Sequence, residues 1–187
     1  MISTLIKTLT ADGDSSLSFV NGAASVVFDN TYDHYMFVFT DISPETADAE
    51  FQWNVSTDAG SNYNLSKQSA SWAAGHSEDD SDAFVEYKPG ADLANGTGFQ
   101  FINQDPESSP SVSGDDNSTS GILHLFSPDQ ATYVKHFQCR VNFSQTAAKS
   151  WDMYTEGYVN STSDIDAIQF KHASGNFAGV IQMYGIA

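Results

Sequence analysis

The sequence has little cysteine and little positive charge, and both shortages exclude kinds of function. Among 187 residues there is one cysteine, Cys139, so no disulfide can form within the chain. Only 7 basic residues stand against 24 acidic ones, and the formal net charge is −17. Nucleic acids and anionic membranes bind basic patches, and because these basic residues form no cluster we expect neither partner. The charge fits either a repulsive outer surface or solubility in a salt-rich medium.

Long apolar segments are also missing. No window approaches the roughly 20 apolar residues of a transmembrane helix, and residues 1–10 lack the apolar core of a signal peptide. We therefore expect a protein that is synthesised in a cytoplasm and does not insert into a membrane. No window keeps a helical period over several turns, which disfavours a helical fold.

Catalytic motifs are missing as well. The sequence contains no G-x-S-x-G, no H-E-x-x-H and no phosphate-binding G-x-x-x-x-G-K-[ST]. A glycosidase would need two carboxylates at a set separation, which a sequence does not reveal. We therefore expect a non-catalytic protein without a catalytic cofactor.

What the sequence does contain is a series of short segments in which apolar and polar residues alternate, separated by turn residues. Aromatic residues make up 13% of the chain. The pattern predicts roughly ten or more strands in an all-β fold, a β-sandwich or jelly roll. We expect a single domain over residues 1–187, with residues 1–30 as either an attachment segment or an edge strand. The expected core between two sheets is Phe37, Phe39, Phe51, Trp53, Leu123, Leu125, Phe137, Val141, Ile168, Phe170, Ile181 and Met183.

Four segments carry more detailed predictions. Residues 35–40 are apolar at nearly every step, which predicts a strand covered on both faces. Residues 51–55 alternate cleanly, which predicts a strand with one solvent-exposed face. Residues 26–28 are expected to form a short strand. Residues 168–171 and 180–186 flank the turn Ser174-Gly175-Asn176, and together they predict a C-terminal β-hairpin.

The C-terminal segment, I-x-F-x-x-x-SGN-x-x-G-x-I-x-MYGI over residues 168–186, resembles the ending of many tailed-bacteriophage structural proteins, marine phages in particular. Residues 32–40, 56–63, 121–126 and 134–137 are similar to the same group. The resemblance implies a subunit of the virion, located on the particle as capsid decoration, knob or short fibre. It also implies a symmetric homo-oligomer, a trimer by analogy, in contact with other virion proteins. An alternative is a carbohydrate-binding module that recognises a host surface glycan.

Two groups of acidic loop residues are candidates for a structural Ca²⁺ site. They are Asp79, Asp80 and Asp82 in one loop, and Asp115 and Asp116 in another. Carboxylate oxygens on flexible loops are the ligands that Ca²⁺ takes, although neither group has the spacing of a twelve-residue calcium loop. The alternative is that these carboxylates are simply solvated.

Three aromatic residues beside polar loops are candidates for ligand binding, because aromatic rings stack on sugar faces. They are Trp72, Tyr87 and Trp151. The alternative for each is burial in the core.

The histidines are scattered, so the sequence predicts structural roles for them and no zinc site. His124 and His136 are placed to meet across neighbouring strands. Cys139 occupies one step of an alternating segment, which predicts a small buried apolar residue.

Overall fold

A computed structural model describes residues 3–104, 117–145 and 148–187, which form thirteen strands and no helix. No helix in these residues is therefore long and apolar enough to cross a membrane. In chain order, β1 to β13 are Ser3–Asp14, Leu17–Val20, His34–Pro44, Phe51–Ser56, Lys67–Ser77, Ala83–Tyr87, Ala94–Gly96, Gln100–Phe101, Thr119–Phe126, Lys135–Gln145, Lys149–Val159, Ala167–His172 and Phe177–Ile186.

The strands form two antiparallel sheets that pack against each other. The large sheet has the order β1-β13-β3-β9-β10-β11-β5-β6, with β7 also paired to β5. The small sheet has the order β2-β12-β4-β8. Strands β1 to β5 alternate between the two sheets along the chain, as in jelly-roll-like folds. The predicted all-β sandwich is confirmed.

The core between the sheets contains every residue that the alternation placed there. All twelve predicted core residues are at most 1% exposed. Phe19, Phe37 and Phe170 illustrate the packing, with ring centroids 5.3 to 6.3 Å apart in edge-on and tilted arrangements. Cys139 is buried among them, and burial raises the pKa of its thiol, in agreement with a structural role.

The predicted C-terminal hairpin is wrong. β12 pairs with β2 and β4 in the small sheet, whereas β13 pairs with β1 and β3 in the large one. Gly175, at a φ of +70°, lies in the segment that connects the two sheets, and a Cβ there would collide with the side chain of Thr46. Both strands keep their predicted inward residues, because the same alternation serves a hairpin or a crossing between sheets.

The predicted coverage of β3 and β4 is also wrong, in opposite directions. In β3, Phe37 and Phe39 are buried, but Met36 and Val38 are only half-buried on the outer face of the large sheet. β4 is buried at every residue, including the amide of Asn54. Loops cover the polar face of β4, and nothing in the described residues covers the apolar outer face of β3.

Smaller differences concern the beginning and the middle of the chain. Residues 26–28 form no strand, although Val26 and Phe28 are buried. The sequence did not predict β6 and β7. β1 lies at the edge of the large sheet and β2 at the edge of the small one, which fits the edge-strand interpretation of residues 1–30.

Three of the seven basic residues are fully buried: Lys67, Lys88 and Lys135. The Lys67 ammonium donates to Asn54 Oδ1 at 2.7 Å, and burial lowers its pKa to about 7. Lys88 pairs with Glu86 and lies 4.5 Å from the centre of the Trp151 ring. Because these three lysines are buried, the solvent-facing surface is poorer in cations than the composition suggests.

Candidate functional site

The outer face of the large sheet is the most distinctive surface of the described residues. Side chains from successive strands line up across it in two rows, and none of them is buried. One row is Leu5, Tyr184, Met36, His124, Gln138, Glu156 and Ala70. The other is Thr8, Gln182, Val38, Ile122, Arg140, Tyr154, Trp72 and Tyr87.

On β1, β13 and β3, five of the outward side chains of this face are apolar, and polar residues such as Thr8 and Gln182 lie among them. Leu5 is 50% exposed and pairs with Tyr184, which pairs in turn with Met36; the four other apolar residues are half-buried. We call this set the apolar patch: Leu5, Met36, Val38, Val180 and Tyr184. It contains no charged side chain, although the chain as a whole has a formal charge of −17.

Next to the apolar patch, a groove runs along β10. Its floor includes His136 and Gln138, and it consists of two adjoining cavities of about 350 and 260 Å³. Both cavities are lined by Gln138 and Glu156, so they form one continuous depression, which we call the β10 groove. Its sides are formed by Ile122, His124 and Phe126 from β9 and by Tyr154, Glu156 and Tyr158 from β11.

A third cavity, of about 660 Å³, extends the β10 groove past the start of β10. It shares Phe126 and His136 with the groove and is otherwise lined mainly by the loop that precedes β10. Tyr133 in this loop is 69% exposed. The depression therefore has an elongated shape with aromatic residues along its length.

Asp152 neutralises Arg140 in the β10 groove, so Glu156 leaves the groove with a net negative charge. Arg140 binds Asp152 through two hydrogen bonds of 2.7 and 3.0 Å, and its guanidinium lies 4.7 Å from the centre of the Tyr154 ring. Glu156 lies beside the floor amide of Gln138, with Nε2 and Oε2 3.5 Å apart. Burial, and then the neighbouring His34, lower the pKa of His124, so this ring is neutral at pH 7.

Two of the predicted ligand-binding aromatics lie on this face. Trp72 is 38% exposed and Tyr87 is 54% exposed, and they are direct cross-strand neighbours. The Trp72 ring stacks on Tyr154 with 4.3 Å between centroids and 5° between planes. Because Arg140 lies over Tyr154 as well, a ligand meets the edges of these two rings more readily than their faces. The Tyr87 hydroxyl donates to Asp92.

The third predicted aromatic, Trp151, does not belong to the site. It is 3% exposed, and its ring packs against Phe143 and Phe84. Its Nε1 donates to Gln145 Oε1 at 2.9 Å. Trp151 and Met153 are two residues apart in β11, so their side chains point to the same face, which is the buried one. Asp152, between them, points to the outer face.

The carboxylates of the acidic loop before β6 do not converge to form a cation site. Asp79 accepts from the backbone and hydroxyl of Ser81, Asp80 contacts His76 at 3.0 Å, and Asp82 contacts Lys149 at 2.9 Å. Within the described residues, no group of three or more His, Cys, Asp or Glu is arranged to hold a metal ion. Asp115 and Asp116 lie outside the described residues.

The histidine pair on the outer face differs from the predicted one. The His124 ring lies 5.4 Å from His34, and His136 packs instead near Tyr158. His124 is paired in register with Met36 and Gln138, which places His136 farther along β10.

Sequence reasoning missed the β10 groove. The signal was present locally, since Tyr154, Glu156 and Tyr158 occupy alternate positions in β11, as do His136 and Gln138 in β10. That alternation puts each set on one face. The pairing of β10 with both β9 and β11, which brings the sets together, is not visible in the sequence.

Comparisons with known proteins found no match: no family model, no curated protein and no solved structure is significantly similar to this chain. The resemblance to tailed-bacteriophage structural proteins therefore stays a prediction.

Proposed function

We propose that this protein is a non-catalytic structural subunit of a bacteriophage virion, as capsid decoration, knob or short fibre, and that it assembles as a homo-oligomer through the apolar patch. The observation that carries the proposal is the patch itself. Leu5, Tyr184 and Met36 are successive cross-strand neighbours, with Val38 and Val180 on the same two inner strands, and no part of the described chain covers them. Surfaces of this kind mark protein interfaces.

The distribution of charge favours a second copy of the chain as the partner. Two molecules that each carry a formal charge of −17 repel each other at most approaches. The two rows across the outer face carry one positive side chain, Arg140, and one negative one, Glu156. Copies that meet on this face therefore avoid the repulsion that acts elsewhere.

The geometry of β1 favours contact through the face over pairing at the edge. β1 has register irregularities at Ile6 and Gly13, and it carries Lys7. Bulges and lysines are features that block strand addition at an open edge. The trimeric state, the virion location and the contacts with other virion proteins come from the resemblance described above.

Sedimentation velocity of the purified protein at micromolar concentration tests the assembly. We expect a trimer for the native chain and a monomer for Leu5→Asp, which puts a charge into the patch. Val85→Asp is the matched control, because Val85 is also an exposed aliphatic residue of an edge strand but lies outside the patch. A native monomer, or equal effects of the two variants, contradicts assembly through the patch.

The virion location needs a separate measurement. Mass spectrometry of purified particles of the phage that encodes this chain should detect it in fixed stoichiometry with the capsid or tail proteins. Its absence from such particles contradicts the structural role, whereas a monomer found on the particles contradicts only the oligomer.

A second candidate function is recognition of a host surface glycan, and the observation that favours it is the β10 groove. The groove combines the aromatic rings of Tyr154 and Tyr158 with the polar side chains of Gln138 and Glu156. Concave sites with aromatic sides and a few polar groups are typical ligand sites.

A further inference from the structure

We propose that the β10 groove binds a linear, uncharged glycan, with a sugar ring packed against Tyr158 and sugar hydroxyls bonded to Gln138 and Glu156. This inference rests on the second candidate function and specifies its ligand. Four observations support it: the length of the groove, its aromatic sides, the hydrogen-bonding state of its floor and its charge.

The groove is elongated along β10. From His136 to Arg140 it follows four steps of β10, about 13 Å at the rise of an antiparallel strand. The cavity beyond the start of β10 extends it to the exposed ring of Tyr133. A compact ligand would fill only part of this length, whereas a chain of sugar rings follows it.

The sides of the groove match the two kinds of surface on a sugar. Tyr158 is half-buried and packs edge-on near His136, with 6.0 Å between ring centroids. An apolar sugar face can pack against such rings. The Gln138 amide both donates and accepts, and the Glu156 carboxylate accepts, which together suits hydroxyl groups. Both side chains are exposed to solvent and ready for contact.

The floor argues against an extended peptide as the ligand. Peptides that bind sheets usually add a strand at an open edge and bond to its backbone. β9, β10 and β11 are all interior strands with a partner on each side. Their backbone groups are engaged in the sheet, so the groove offers side-chain contacts only.

The charge argues for a neutral ligand. Arg140, the one cation of the groove, is already bound by both carboxylate oxygens of Asp152. Glu156 adds a carboxylate at the middle of the groove, and the whole chain is strongly acidic. A uronate or sulfated polysaccharide would therefore be repelled.

Isothermal titration calorimetry tests the inference. The probes are three neutral hexasaccharides (maltohexaose, cellohexaose and mannohexaose) and an oligogalacturonate of equal length. We expect saturable binding of at least one neutral probe and at least tenfold weaker binding of the oligogalacturonate. Tyr158→Ala and Gln138→Ala should each weaken binding of the neutral probe at least tenfold. Tyr158→Phe, which keeps the ring, should stay within about threefold of the native chain, a difference of about 0.7 kcal/mol. Circular dichroism melting checks that each variant is folded.

Tyr87→Ala is the control, because Tyr87 is an exposed aromatic residue of the same face outside the groove. Repeating the titration on Leu5→Asp separates the two proposals: binding by a monomeric variant leaves the glycan site intact whatever happens to the assembly. Failure of all three neutral probes at millimolar concentration, equal binding of the oligogalacturonate, or unchanged binding by both groove variants overturns the inference. So does saturable binding of a neutral Ser/Asn peptide that depends on Tyr158 while the sugars fail, because it would make the groove a peptide site.

Discussion

The two sheets of the sandwich each have an outer face, and the two faces are opposites. On the small sheet, the outward residues of β4 are polar, namely Gln52, Asn54 and Ser56, yet all three are buried. On the large sheet, the outward residues of β3 include Met36 and Val38, yet they remain partly exposed. The polar face is covered by the chain itself, and the described residues leave the apolar face open.

Hydrogen bonds explain how the polar face can be covered. The Asn54 amide donates toward the carbonyls of Tyr63, Thr97 and Gly98 at 3.0 to 3.2 Å, which holds two loops against β4. Its Oδ1 accepts from Lys67. Burying a polar side chain is tolerated when its bonds are satisfied in this way.

Within residues 3–104, 117–145 and 148–187, no such bonds hold a loop over the apolar patch on the outer face of the large sheet. This patch gains by leaving water, but the described chain supplies nothing to cover it. We therefore expect a partner outside the chain to bind this face.

Asn54→Leu should have the largest effect. It removes the partners of three carbonyls and leaves the buried Lys67 ammonium without its side-chain acceptor, so we expect a loss of about 3 to 5 kcal/mol in the free energy of unfolding. Urea denaturation measures it. Lys67→Met in the Asn54→Leu background should recover part of the loss, because it removes a buried amino group whose one remaining acceptor in the described residues is the Leu65 carbonyl.

The matched control for that variant is Asn142→Leu on the uncovered face. Asn142 also donates two hydrogen bonds, to Ser150 and to the backbone of Trp151, but it is exposed to water. We expect a loss of less than about 1 kcal/mol, since water replaces the lost partners. Equal losses at positions 54 and 142 would contradict the contrast between the faces.

His172 should make stability depend on pH between about 6.5 and 4. Its Nδ1 lies 2.7 Å from the Ala49 carbonyl, its Nε2 is buried without a partner in the described residues, and burial lowers its pKa to about 4. The unfolded chain therefore binds more protons in this window. The His172 contribution is fully present above pH 6.5 and is lost as the pH falls, by about 3 kcal/mol in total.

Comparison with His172→Gln isolates this effect, because the carboxylates titrate in both proteins. Glutamine can keep the bond to Ala49 but does not ionise in this range. Urea denaturation at a series of pH values should show the native chain losing stability relative to the variant between pH 6.5 and 4. Parallel curves for the two proteins would mean that His172 is not buried as described.

Trp72→Ala should have the smallest effect. The variant removes the stack on Tyr154, but Trp72 is 38% exposed, so we expect a loss of about 1 kcal/mol. Thermal melting measures it, with Tyr87→Ala as a control that should change less. A loss as large as that of Asn54→Leu would mean that something covers this part of the face.

The alternation of apolar residues predicted much of the architecture because it is a local property. Side chains in a strand point alternately to opposite faces, so Phe37, Phe39, Ile181 and Met183 were assigned to a core without knowing which strands pair. The same reasoning applies to Trp151, which lies two residues from Met153 and therefore shares its buried face. Its position beside a polar loop suggests exposure, but the alternation along β11 predicts its burial correctly.

The partners of each strand were decided only by the tertiary structure. β12 and β13 have the same inward residues whether they form a hairpin or cross between sheets. Likewise, β4 carries amides that are wet or buried according to where distant loops lie. These choices depend on contacts between residues far apart in the chain, which no local pattern specifies.

The candidate site follows the same division. By itself, the sequence determined that this is an all-β chain with a strongly acidic surface and a set of outward aromatic and polar residues on β10 and β11. Only the tertiary structure put β9, β10 and β11 side by side, so that Gln138 lies between His124 and Glu156 in one row. The physical reason is that alternation fixes the face of a side chain, whereas a groove requires neighbours that sheet pairing alone supplies.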